Sequence, residues 1–302
     1  MTARPGTVGD APRIAALCNA VAEDLYGEGD VDEAEVRSWF TYPDLATFVV
    51  EEDGALVGYA DVRRDDDGLR FPIDARVDPA GRGRGVADAL LAAAQDWSGP
   101  RARPGALLRG YAPERDAELS GAYDRHGYRL VRHSFQMEID LPDELESARW
   151  PPGATARRFD RARDEHAVYE AQQDAFADHW DFRRISHEEW RRFQIETPRF
   201  DPELWWVVEA DGEIAAFSLN NWRFGDRQFG WIGDLGVRRP WRRRGIALAL
   251  LLHSFADFKR RGAARVGLGV DAENPTGAVR LYERAGMRVV RRNDTYEKVL
   301  GP

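Results

Sequence analysis

Residues 242–247 read Arg-Arg-Arg-Gly-Ile-Ala and join a short apolar strand, Gly233-Asp234-Leu235-Gly236-Val237, to a segment with Leu248, Leu251, Leu252, Phe255 and Phe258. That spacing is the stripe of a helix packed on a sheet. A turn entering a helix N-terminus leaves backbone N–H groups unpaired at the positive end of the helix dipole. Gly245 lets the backbone approach an anion closely, and Arg242, Arg243 and Arg244 add fixed charge and forked donors. The chemistry this suits is the holding of a pyrophosphate. A basic turn facing solvent is the plain alternative. Neither Gly-x-x-x-x-Gly-Lys-Ser/Thr nor a strand-to-helix Gly-x-Gly-x-x-Gly occurs, so the other two phosphate-loop readings fail.

The elements that would position this turn occur twice. Val49-Val50-Glu51-Glu52-Asp53-Gly54-Ala55-Leu56-Val57-Gly58-Tyr59 reappears as Val207-Val208-Glu209-Ala210-Asp211-Gly212-Glu213-Ile214-Ala215-Ala216-Phe217, a strand–turn–strand signature. Arg82-Gly83-Arg84-Gly85-Val86-Ala87 matches residues 242–247 and precedes its own stripe of Val86, Leu90, Ala94 and Trp97. Tyr123 and Gly127 match Tyr282 and Gly286. Three pairs in one order, offset by about 160 residues, are a duplication. The stiff Trp150-Pro151-Pro152-Gly153 breaker sets expected domains of 1–145 and 152–302, a size that suits 302 residues. Each copy reads as α+β, a mixed and mainly antiparallel sheet flanked by helices.

Val237, the arginine-glycine turn, the long helix, and Asp271-Ala272-Glu273-Asn274-Pro275-Thr276-Gly277-Ala278-Val279-Arg280-Leu281-Tyr282 together resemble the GNAT superfamily of acyl-CoA-dependent N-acyltransferases. The resemblance implies that the backbone of Leu235, Gly236 and Val237 holds a pantetheine arm. It implies that Arg242, Arg243, Arg244, Gly245, Ile246 and Ala247 hold the pyrophosphate, that Asn274 binds the arm, and that Tyr282 protonates the departing thiolate. A phenol of pKa ~10 is protonated at neutral pH and can donate to a thiolate of pKa ~8–9. A core aromatic is the plain reading of Tyr282. Acetyl-CoA is the implied acyl donor and a small-molecule primary amine the implied acceptor. The first copy keeps Arg82, Gly83, Arg84, Gly85, Val86 and Ala87 as a second set of cofactor-binding candidates, but no asparagine precedes Tyr123. A structural role is expected of it, and catalysis is expected of the second copy.

The tandem layout is similar to that of the mycothiol synthases, which makes the amine of a mycothiol precursor an alternative acceptor. The glutamate many family members carry six residues before the valine is Trp231 here and Phe71 in the first copy, so that base does not transfer. A coenzyme-binding module without turnover is the competing reading. Asp234, with Asp74 as its counterpart, is the nearest carboxylate and reads equally as base or as structural group. Asp178, His179 and Trp180 precede the hairpin and are candidates for the acceptor site, Asp178 by meeting an ammonium and Trp180 by stacking on it.

Composition narrows the classes further. A net charge of -9 gives no basic footprint for nucleic acid. Cys18 is the only cysteine, has helical core spacing, and excludes an intrachain disulfide. The six histidines lack metal-ligand spacing, and no apolar run approaches a membrane span. A cytoplasmic enzyme without nucleic-acid or membrane partners, monomeric or homodimeric, is expected.

Overall fold

The first repeat runs β1 (Arg4–Pro5), α1 (Ala11–Tyr26), α2 (Glu33–Trp39), β2 (Leu45–Glu52), β3 (Ala55–Arg63), β4 (Arg70–Val77), α3 (Val86–Ser98), β5 (Leu107–Pro113), α4 (Ala117–Arg125) and β6 (Arg129–Asp140). The second runs β7 (Thr155–Arg158), α5 (Arg161–Phe176), α6 (His187–Gln194), β8 (Trp206–Ala210), β9 (Glu213–Trp222), β10 (Phe229–Val237), α7 (Ile246–Arg260), β11 (Arg265–Asp271), α8 (Ala278–Arg284) and β12 (Arg288–Val299). The computed structural model describes residues 1–301 apart from Asp30, Asp66, Phe224 and Gly225. No helix among the described residues is long and apolar enough to cross a membrane.

Local chemistry fixes the hairpins. Asp53-Gly54 and Asp211-Gly212 both adopt positive φ, at 48° and 80° and at 55° and 80°. Two such residues make the turn whose twist matches antiparallel strands. β2–β3, β3–β4, β8–β9 and β9–β10 accordingly pair antiparallel, while β4–β5 and β10–β11 pair parallel. Each repeat is thus a mixed, mainly antiparallel α+β layer.

The helix stripes bury as their spacing predicts. Leu251, Leu252, Phe255 and Phe258 of α7 are buried with Val207, Phe217, Ile232 and Val266 of the sheet. Val86, Leu90 and Ala94 of α3 are buried against Val50, Val62 and Ile73. Each fully buried leucine or phenylalanine contributes about 1.5–3 kcal/mol of transfer free energy. Cys18 lies in a third cluster with Ile14 and Val21, as a small core residue.

The chain divides into one unit of Met1–Ser134 with Arg291–Pro302 and another of Phe135–Val290. The division falls inside β6 and β12 rather than at Trp150–Gly153. In the first unit, Asn293–Val299 of β12 pair antiparallel with Pro113–Leu107 of β5. In the second, β6 lies beside β11, the Leu141 N–H donates to the Ala264 carbonyl at 2.8 Å, and Met137 and Ile139 are core residues. Residues 135–140 of β6 thus belong to the second unit and residues 291–299 of β12 to the first.

Candidate active site

In the second unit, β10 and β11 run parallel for four residue pairs, from Phe229–Arg265 to Ile232–Leu268, and their ladder stops there. β10 continues to Val237 on β9 alone. The β4–β5 ladder of the first unit also stops after four pairs, at Ile73–Gly110, but in the second unit a bulge follows: the register with β9 shifts between Ile232 and Asp234, so Gly233 has no partner of its own. An extra residue reverses the facing of everything after it. Beyond it, alternate backbone groups of Leu235–Val237 are turned away from β9 and available to an extended ligand. Gly236 is required on the other side, since a Cβ there would stand 2.4 Å from the Phe217 ring.

The same bulge sets Asp234. Its Oδ2 accepts from Gln172 Nε2 at 2.7 Å and from Gln194 Nε2 at 3.0 Å. Burial raises its pKa above the ordinary carboxylate value, and the two amide donors only partly oppose that. Tyr282, on α8, is buried and its pKa is pushed up to about 12, mainly by burial and then by the charge of Asp234. The carboxyl group and the phenol are therefore electrostatic neighbours. Gln172 and Gln194 escape a sequence reading because both stand in polar helices, where glutamine looks like solvated surface.

β10 ends in the basic turn. Arg243 and Gly245 adopt φ of 61° and 87°, and no side chain caps α7. A Cβ on Gly245 would meet nothing within 4 Å, so the helix terminus is open. Arg243 and Arg244 are exposed, with no hydrogen bond or ion pair to any described residue. Arg242 behaves differently. Its guanidinium donates to the Val237 carbonyl at 3.0 Å, the Ala175 carbonyl at 2.9 Å and Asp178 at 2.7 Å. It holds the shape of the turn instead of offering a fork to an anion. Asp178 is tied to the same turn. Both its oxygens serve Arg239 and Arg242, which hold its pKa down to about 2, so it anchors the turn.

Burial holds His179 below its ordinary pKa, with the charge of Asp271 partly opposing, so the imidazole is neutral at physiological pH. Its ring meets Phe176 at 4.4 Å between centroids. Trp180 follows it, 37% exposed. Trp222 is buried against Phe258, whereas Trp231 is half-buried under the Arg223 guanidinium. Asn274 accepts from the Thr276 N–H at 2.9 Å, which fixes the loop before α8 and leaves its amide nitrogen as donor.

The first unit has the same elements in another condition. β4 pairs with β3 without a bulge, and Asp74 is bound by Arg76. Tyr123 is fully buried over Gly110, where any Cβ would stand 2.3 Å from its ring, and it stacks on Tyr296 at 5.0 Å. Gly110 is the fourth residue of β5, and the fourth residue of β11 is Leu268. Arg82 pairs with Asp24 at 2.7 Å and Arg84 pairs with Glu52, while the Gly83 N–H donates to Glu118 at 3.1 Å.

Strands that part beside an open, basic helix terminus suit a donor carried on a long arm with an anionic end, the arrangement of an acyl-CoA-dependent acyltransferase. Residues 14–105 and 165–287 both match the acetyltransferase (GNAT) family, and the chain belongs to that family. It is 32% identical over 286 residues to a mycothiol acetyltransferase of Thermobispora bispora, with 93% of each chain covered. It is 33% identical over 236 residues to one of Thermomonospora curvata, covering 78% of this chain and 76% of that one. A GCN5-related N-acetyltransferase from Sphaerobacter thermophilus superposes with a TM-score of 0.82 at 34% identity, over 99% of this chain and 96% of that one. A tandem GNAT protein from the clavulanic acid biosynthesis pathway gives 0.79 at 17% identity over 99% and 98%, a likeness of fold. The protein is an acetyltransferase of the GNAT type, a class of enzyme that uses acyl-CoA.

Proposed function

We propose that the second unit transfers an acetyl group from acetyl-CoA to a primary amine of a small molecule by direct attack. The observation that carries this is the end of the β10–β11 ladder at Ile232–Leu268, with an uncapped helix terminus at Gly245 below it and Asp234 beside Tyr282. The turn suits the pyrophosphate, and β10 offers backbone partners to the arm. Asp234 takes the proton of the amine as its nitrogen bonds to the thioester carbon. A backbone N–H near Leu235 donates to the oxyanion. The carbon–sulfur bond then breaks, and Tyr282 donates to the sulfur. A phenol near 12 is too weak an acid to protonate a thiolate by itself. Asp234 eases this in part, because the smaller share of the rise in Tyr282 comes from its charge and the larger from burial. Once Asp234 holds the amine proton, that smaller contribution vanishes and the phenol becomes a somewhat stronger acid than before, so its donation accompanies the departure of the sulfur rather than following it.

Two relatives named mycothiol acetyltransferase support a narrower reading, in which the acceptor is the amine of a mycothiol precursor. The test is acetyl-CoA with a panel of primary amines that includes this precursor, read by mass spectrometry of acetylated product. Product from the precursor alone favours the narrower reading, and product from several amines the broader one. No product from any amine, with coenzyme A still bound, supports the non-catalytic binding module instead.

A further inference from the structure

Asp234 stands at the end of a line of hydrogen bonds that begins on a backbone N–H. The Ile185 N–H donates to Gln173 Oε1 at 3.2 Å, Gln173 Nε2 donates to Gln172 Oε1 at 3.1 Å, and Gln172 Nε2 donates to Asp234 Oδ2 at 2.7 Å. Ile185 is held from its other side as well, since the Tyr169 hydroxyl donates to the Ile185 carbonyl at 2.8 Å. Gln172 and Gln173 are only 7% and 4% exposed, so these bonds are shielded from water. A glutamine amide can turn over and exchange its donor for its acceptor, but a backbone N–H can only donate. Ile185 therefore fixes the direction of both amides, and the amide that reaches Asp234 presents its N–H. Were the Gln172 amide free to turn, its oxygen would face the carboxyl group, and only a protonated Asp234 could bond to it.

Gln194 adds a second donor to the same oxygen at 3.0 Å, while no described residue donates to Oδ1. Tyr282 of α8 is the titratable neighbour of Asp234, and Leu219 pairs with it from β9. Helices α5 and α6 offer it amides, and among the described residues no charged side chain of α7 or β11 bears on it.

We infer that Gln173 is a positioning residue: anchored by the Ile185 N–H, it holds the Gln172 amide so that donors occupy Oδ2 of Asp234 and Oδ1 is the oxygen that takes the amine proton. This rests on the reading of Asp234 as base, but the line of bonds can be tested without turnover. The line also ties the carboxyl group to residues 177–186, the segment that carries His179 and Trp180.

The experiment follows the Asp234 carboxyl group of the full chain by carbon NMR of isotope-labelled aspartate, its signal identified by its loss in Asp234→Asn. Gln173→Met keeps the bulk of the side chain and removes both of its bonds. It should raise the titration midpoint of Asp234 by about half a pH unit, and Gln172→Met, which removes the donor itself, by about one. Adding Gln173→Met to Gln172→Met should raise it no further, because the influence of Gln173 passes through Gln172. The acid limb of kcat should move with the titration while KM for acetyl-CoA stays unchanged. Gln173→Leu serves in the same comparison if the methionine variant does not fold. The inference is overturned if the midpoint stays at its wild-type value, or if the Gln173 substitution raises it equally in both backgrounds. Failure of the base reading looks different: the titration would move as expected and the acid limb of kcat would not follow it.

Discussion

In the role proposed for it, as base for the amine, Asp234 would gain from the raised pKa that burial gives it, and that same rise has the opposite consequence for stability. Because burial raises its pKa in the folded state, its favourable contribution is fully present below the ordinary carboxylate pKa and is lost as pH rises through the raised value. At neutral pH the fold therefore carries a cost for that charge. Asp234→Asn removes it, and the asparagine oxygen can still accept from Gln172 and Gln194. We expect the thermal midpoint at pH 7.5 to rise while kcat falls by about 10²–10³-fold, the range of a lost general base. A midpoint that drops with kcat would make Asp234 structural. In the wild type, kcat should decline as pH falls through a value above the ordinary carboxylate range. No alkaline limb from Tyr282 should appear below about pH 11, since the phenol stays protonated. Tyr282→Phe should lower kcat by about 10²-fold with little change in coenzyme A affinity. Tyr282 and Asp234 were legible as types at a spacing, but their coupling was not. It depends on a bulge and on two glutamines from α5 and α6.

A bulge, rather than any regular strand or helix, sets the candidate site of the second unit apart, since the parallel ladders of both units stop after four pairs. The hairpins and α7 could be read from Asp-Gly pairs and from the Leu251–Phe258 stripe, because each is a short-range pattern. The bulge at Gly233 could not, since one unpaired residue leaves the apolar pattern nearly intact. The pairing of Arg242 with Asp178 was hidden for a related reason: sequence shows charge but not its partner. The open terminus at Gly245 gives a test at this scale. Gly245→Ala places an L-residue at φ 87° and should cost about 1–2 kcal/mol of stability, with acetyl transfer reduced by no more than a few-fold. Gly245→Asp has the same backbone strain and adds a charge that repels a pyrophosphate. It should abolish coenzyme A binding in calorimetry. Equal losses in the two variants would assign the effect to strain and remove the turn from anion binding.

Two copies of one unit in a chain need not fold as two successive halves. The repeat was plain from three matched segments, and Trp150–Gly153 looked like the joint because proline and glycine punctuate chains there. Sequence similarity cannot show which sheet a final strand closes, since a strand paired with either copy has the same pattern of residues. Residues 135–140 bring Met137 and Ile139 into the core with Tyr282 and Met287, and residues 291–302 bring Tyr296 against Tyr123. Cutting at the apparent joint would strip the second unit of two buried side chains and a paired strand. Deleting one buried aliphatic side chain costs about 2–5 kcal/mol, and domains are stable by only about 5–15. A fragment of residues 152–302 is therefore expected to lack a cooperative thermal transition and to bind a hydrophobic dye. A fragment of residues 135–290 should unfold cooperatively and retain coenzyme A binding through Gly245. Cooperative unfolding of 152–302, with the 135–290 fragment unfolded, would return the boundary to the proline-rich joint.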